Sequence, residues 1–137
     1  MPRNMGFKII GNLVIAVYNE KPPTDEDHKL TLAAYLKLDP TRTKALVVTG
    51  GGAPTTLQRK DFTEAFQGHD FQSAVVTDSA MARAIVTAIS WFNKKMKAFP
   101  RAKMEDAFKF LEIPPGMYDR VHKEIQTIEA GLRQTKS

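Results

Sequence analysis

Two short stretches of this chain hold the residue types whose spacing could do chemistry. The first is Thr49-Gly50-Gly51-Gly52 followed by Ala53-Pro54-Thr55-Thr56. Successive glycine N–H groups ahead of a helix can cradle an anion. A hydroxyl at a helix start can accept a phosphoryl group, whose negative charge the helix dipole tolerates. The same residues suit a tight glycine turn followed by a threonine cap, which is the simpler reading. No Gly-Lys-Ser/Thr follows, so the loop is not a nucleotide P-loop. The second stretch is Thr77-Asp78-Ser79, at the mouth of the most strongly periodic helix. It could bind a ligand, present a docking loop, or cap the helix. Arg83 and Trp91 lie off the main apolar stripe of that helix, and both are residue types that anchor protein contacts. Equally, Trp91 could close the edge of the core while Arg83 stays solvated.

Other chemistry finds little footing. His28, His69 and His122 are dispersed without ligand spacing, which argues against a metal site. No Ser/His/Asp set, no recognisable pair of catalytic carboxylates and no dinucleotide fingerprint is present. The expectation is no catalytic residue, no metal and no cofactor. Lys94, Lys95, Lys97, Arg101 and Lys103 cluster around Phe92 and Phe99. Such a pattern can hold single-stranded nucleic acid or an anionic membrane surface. A helix C-terminus with a solvated turn explains it more simply, because the dipole favours cations there. Nucleic acid is therefore not the expected partner.

These residues must be positioned by elements that 137 residues can build as one domain. Hydrophobic content of 42% and charged content of 26% are ordinary for a globular protein. The net charge of +5 permits an anionic partner without requiring one. There is no cysteine, which fits a reducing compartment. No segment reaches the roughly 18 apolar residues of a membrane span. The apolar run Ile9–Val17 is broken by Gly11-Asn12 and lacks a cleavage site, so it reads as a hairpin rather than a leader. The expected localisation is cytoplasmic.

Along the chain, Phe7–Ile10 and Leu13–Tyr18 read as the hairpin, stopped by Pro22-Pro23. Thr24 caps a helix with Asp25, Glu26 and Asp27 in its first turn. Leu30, Ala33, Ala34 and Leu38 supply its apolar face, and Asp39-Pro40 ends it. Ala45–Val48 and Ala74–Val76 are continuously apolar, as strands covered on both faces are. A helix from Pro54 to Phe66, closed by Gly68, separates them. The helix Ala80–Phe92 carries Met81, Ile85, Ala88, Ile89 and Phe92 on one face, predicted to be its core face. A short strand at Ala98-Phe99 precedes a helix from Met104 to Leu111, with Ala107, Phe108 and Leu111 inward. After the break Ile113-Pro114-Pro115-Gly116, a last helix runs from Met117 to Leu132 with an apolar stripe. The order β-β-α-β-α-β-α-β-α-α predicts an α/β domain: a mixed sheet with right-handed parallel crossovers.

That order, over roughly Met5 to Ile113, resembles the STAS domain of bacterial anti-sigma-factor antagonists. Ala74–Ser79, Arg83, Thr87–Phe92, Phe99 and Ala107–Leu111 are similar to a pattern in uncharacterised bacterial STAS-like proteins. The resemblance implies an α/β STAS-like domain at 1–113. The helix of 114–137 would then pack on that domain or on a second subunit. It also implies a non-catalytic regulatory role, docking to a protein partner. In antagonists the phosphorylated hydroxyl lies in an Asp-Ser-x-Gly-like stretch between a central strand and the next helix. The matching place is Thr49–Thr56, where the Asp-Ser pair is absent and Thr55 and Thr56 are the hydroxyls.

The working surface expected from this reading is Thr49, Gly50, Gly51, Gly52, Thr55, Thr56, Thr77, Asp78 and Ser79, flanked by Arg83 and Trp91. Thr55 and Thr56 are the candidate phosphorylation sites. The leading expectation is a cytoplasmic protein-interaction module, with homo-oligomerisation through the C-terminal helix open. The alternative is a binding protein for a small ligand: nucleotide, phosphate or lipid.

Overall fold

The computed structural model describes residues 3–39, 41–65, 71–90 and 95–134. Strand β1 (Met5–Ile10) pairs antiparallel with β2 (Leu13–Tyr18), with Ile10 opposite Leu13. The two-residue turn between them needs a residue at positive φ, and Gly11 supplies it at 60°. Strands β3 (Lys44–Thr49), β4 (Gln72–Val76) and β5 (Met96–Phe99) then add in parallel. The sheet has five strands in the order β1-β2-β3-β4-β5. It is the mixed α/β sheet with an opening hairpin that the sequence pattern calls for.

Every residue of β2 is buried, because helices cover both faces. Alternation along the strand sends Leu13, Ile15 and Val17 to one face and Val14, Ala16 and Tyr18 to the other. On the first face they meet helices α4 (Met104–Phe110) and α5 (Tyr118–Gln134), through Phe108, Leu111, Val121 and Ile125. These form the largest core cluster. The stripe of α5 is therefore used within its own domain: Val121, Ile125 and Leu132 are buried and Ile128 packs beside them.

On the second face lie the crossover helices. Helix α1 (Asp25–Tyr35) brings Tyr35 against Val14, and α2 (Thr56–Ala65) brings Phe62. Tyr35 meets Phe62 edge-on with ring centroids 5.5 Å apart, and stacks on Phe71 at the same spacing. Helix α3 (Ala80–Ser90) packs on the edge strand β5. The strands advance in one direction, so right-handed crossovers put all three helices on this face.

Two helix faces differ from expectation. In α1 the buried side chains are Asp27, His28, Thr31 and Tyr35, while Leu30 and Ala33 are exposed. The polar ones can be buried because each has a partner. Thr24 and Asp27 make a reciprocal capping box, with Asp27 N–H donating to Thr24 Oγ1 at 3.0 Å. Asp27 also accepts from Asn4 N–H at 3.0 Å and from Arg3 Nε at 3.2 Å, which pins the start of β1 to α1. In α3 the protected positions are Ala82, Arg83 and Val86, whereas Met81 and Ile85 face solvent. The helix is turned so that Met81 and Ile85, the two members of its predicted core face whose side chains are described, point outward. The side chains of Ala88 and Ile89, and all of Phe92, Gly68 and Phe66, lie outside the described residues.

Candidate functional site

Strands β2 to β5 run parallel, so their C-terminal ends share one rim, and the predicted loops Thr49–Thr56 and Thr77–Ser79 lie along it. The glycine loop continues β3. Gly50 N–H donates to Tyr18 O at 3.1 Å and extends the parallel ladder by one bond. Gly51 N–H donates to Thr49 Oγ1 at 3.0 Å, and the buried Thr49 hydroxyl in turn donates to Gly52 O at 2.5 Å. Gly52 N–H donates to Asn19 O at 2.9 Å. All three glycine donors are thus committed within the protein. An anion cradle needs them aimed outward, so the loop acts as a structural joint to the β2–α1 connection.

Thr55 stands one residue before α2. Its Oγ1 accepts from Gln58 N–H at 3.2 Å, and its own N–H donates to Gln58 Oε1 at 2.9 Å. This is a capping box with glutamine in the third position. The same Gln58 reaches Pro23 O through Nε2 at 3.1 Å, tying α2 to the entry of α1. Thr56 is exposed, and its hydroxyl accepts from Arg59 Nη2 at 3.3 Å.

The second loop is built similarly. Thr77 is fully buried; its N–H donates to Phe99 O at 2.9 Å and its hydroxyl accepts from Ser79 N–H at 3.1 Å. Ser79 Oγ accepts from Ala82 N–H at 3.2 Å, so Ser79 is the cap of α3. Asp78 is exposed and accepts from Arg101 N–H at 3.0 Å. Arg101 clamps Glu129 of α5 with two bonds of 2.9 and 3.0 Å. The hydrogen bonds to Glu129 hold the guanidinium pKa above its ordinary value.

The two loops adjoin. A Cβ built on Gly51 would stand 4.0 Å from Ser79 Oγ. The structure therefore brings Thr49–Thr56 and Thr77–Ser79 into one continuous rim. Arg83 lies half-buried on the inner side of α3, and Trp91 lies outside the described residues.

Three features were not read from the sequence. Leu57 at the second position of α2 is 76% exposed, and Met81 at the second position of α3 is 75% exposed. Two apolar side chains therefore stand beside the loops. The third is a pair between helices: buried His28 of α1 meets Asp61 of α2, Nε2 to Oδ2 at 2.9 Å, with the ring edge-on to Phe62. It borders an open groove of about 710 Å³ lined by Asp25, Leu32, Thr55 and Leu57. The Thr55-x-x-Gln58 spacing was a readable capping signal. His28 and Asp61, 33 residues apart, left no local one.

Among the described residues no group of three potential metal ligands converges. Also among them, no helix is long and apolar enough to cross a membrane. Comparison of the chain with family models, with curated proteins and with solved structures returned no match.

Proposed function

We propose that this protein is a non-catalytic docking module of the STAS-like type, engaging a protein partner through the rim of strand-end loops. The observation that carries the reading is the exposure of Leu57 and Met81 beside loops whose polar groups are already hydrogen-bonded. Such a rim is rigid, with apolar anchors on an ordered polar base, which suits recognition by shape. The strand and helix order supports the likeness to anti-sigma-factor antagonists, at the level of architecture. Within that likeness Thr56 is the better switch residue. Its exposed hydroxyl sits at the positive start of α2 with Arg59 beside it. Thr55 would lose its cap on modification. The working compartment in this reading is the cytoplasm, in keeping with a chain without cysteine.

A second reading is favoured by one observation, the open groove between α1 and α2. It would take a small polar ligand against Thr55 and the His28–Asp61 pair.

Native mass spectrometry of the protein isolated from its own cells separates the two. The docking reading expects a bound polypeptide that Leu57→Asp releases while the fold is kept. A bound small molecule, retained by Met81→Asp, which lies outside the groove, and lost in His28→Ala, would replace it with the ligand reading.

A further inference from the structure

From the open edge of β1 and the apolar trough beside it, we infer that two copies of this protein pair β1 against β1, antiparallel, so that one sheet runs through both. This goes beyond the docking reading and does not depend on it. Asn19 N–H donates to Asn4 O at 2.9 Å, and Asn4 stands one step before Met5, the partner of Tyr18. Hydrogen-bonded positions alternate along an antiparallel pair. Gly6, Lys8 and Ile10 therefore turn their backbone groups to β2, and Met5, Phe7 and Ile9 turn theirs outward. β1 stands at the end of the sheet, so no described strand meets them. The edge lies in a trough of about 420 Å³ between α1 and α5, lined by Phe7, Leu30, Ile128 and Gly131. Leu30 is 51% exposed. Gly131 is exposed within α5, and a Cβ built there would meet nothing within 4 Å. Glycine weakens a helix, and no close contact in its own chain requires it at this position. A second backbone passing close does.

Backbone donors and acceptors in a row call for an extended chain. The contrast between the two sheet edges selects a second copy. β5 is the guarded edge: it has four residues, Lys97 is exposed within it, and Pro100 follows directly. β1 has six residues, a single lysine and no proline. Shortness, lysine and proline are how sheets blunt an edge, and β1 lacks all three safeguards but one lysine. A lone strand from another protein would only move the open edge outward. Pairing with a second copy removes it and leaves the joined sheet with β5 at both ends. The register is self-consistent. With Phe7 opposite Phe7 of the second copy, Met5 faces Ile9, and Lys8 faces Gly6, which has no side chain to oppose it. Apolar residues then meet on one face, whereas a register centred on Lys8 would set like charges opposite each other. Because the pairing is antiparallel, the two loop rims point to opposite ends and both stay open.

The test combines light scattering with amide hydrogen exchange on the full-length protein. The expected species is a dimer. Gly131→Glu fills the trough at a position with room in the single copy, so it should yield a monomer with the parent's circular dichroism. The amides of Phe7 and Ile9 should exchange at least about tenfold more slowly in the parent than in Gly131→Glu. Should Gly131→Glu fail to fold, a cysteine pair decides. The chain has no cysteine, so Phe7→Cys sets one thiol opposite its twin, and mild oxidation should link the copies. Lys97→Cys, on the other edge, should stay unlinked. A single monomeric species at about 1 mM overturns the inference. So does a dimer in which the amides of Phe7 and Ile9 remain fast, or one that a folded Gly131→Glu leaves intact. Linking through Lys97→Cys in preference to Phe7→Cys overturns it as well. Each of these failures leaves the docking reading standing, because the rim lies at the strand ends and not along β1.

Discussion

A Cβ placed on Gly52 would lie 2.1 Å from the carbonyl oxygen of Lys21 and 2.7 Å from that of Asn19. Both obstacles are backbone, so neither can rotate aside. The loop after β3 therefore nests against the loop after β2 only because position 52 has no side chain. Gly52→Ala should destabilise the fold by about 1–3 kcal/mol, the usual scale for overpacking a tight site. Urea unfolding measures it. A stability equal to the parent's would mean that the two loops do not touch in solution.

The threonines of the rim should separate cleanly. Thr55 caps α2 and Thr56 does not. Thr55→Ala should cost about 1 kcal/mol, and Thr56→Ala within about 0.5 kcal/mol of nothing. Equal costs in thermal unfolding would refute the assignment of the cap. If Thr56 is a switch, Thr56→Glu should change partner binding while leaving the unfolding curve in place.

Two buried phenols make stability sensitive to alkali. Burial pushes the Tyr18 hydroxyl up to about 12, and burial next to Tyr18 raises Tyr35 further. The folded state thus holds protons that the unfolded chain releases near pH 10. Stability from this source is complete below pH 10. It falls above it, by roughly 1 kcal/mol per pH unit for each tyrosine, as pH climbs toward the folded values. Chemical denaturation at pH 8, 10 and 11 should show a flat stretch and then a decline, and Tyr18→Phe should make the decline shallower.

Leu57 and Met81 gain nothing from folding that an aspartate would lose, since both are largely in water. Leu57→Asp and Met81→Asp should leave unfolding midpoints nearly unchanged, within about 0.5 kcal/mol. Binding of the partner should weaken by at least about 2 kcal/mol per anchor. A loss of stability comparable to the loss of binding would show these residues to be core rather than contact.

Much of this protein was determined by sequence alone. Continuous apolar runs marked the covered strands, Gly11-Asn12 marked the hairpin, and the stripe Val121-Ile125-Leu132 marked a helix that buries one face. The positions of both rim loops followed from where strands end and helices begin. These features are local, so spacing along the chain is enough to reveal them. Tertiary structure decided the rest. Periodicity says that Met81 and Ile85 share a side of α3, but not which side the sheet accepts. At the sheet edge α3 rests on a four-residue strand, and Ala82 and Val86 turn toward the protein instead. The glycine donors likewise became a joint rather than a cradle because Tyr18 and Asn19 arrive from another strand. Asp27 and His28 could be buried because Arg3, Asn4 and Asp61 come from elsewhere in the chain to meet them. A polar group's fate depends on partners that only folding brings within hydrogen-bonding distance, and no local pattern encodes their arrival.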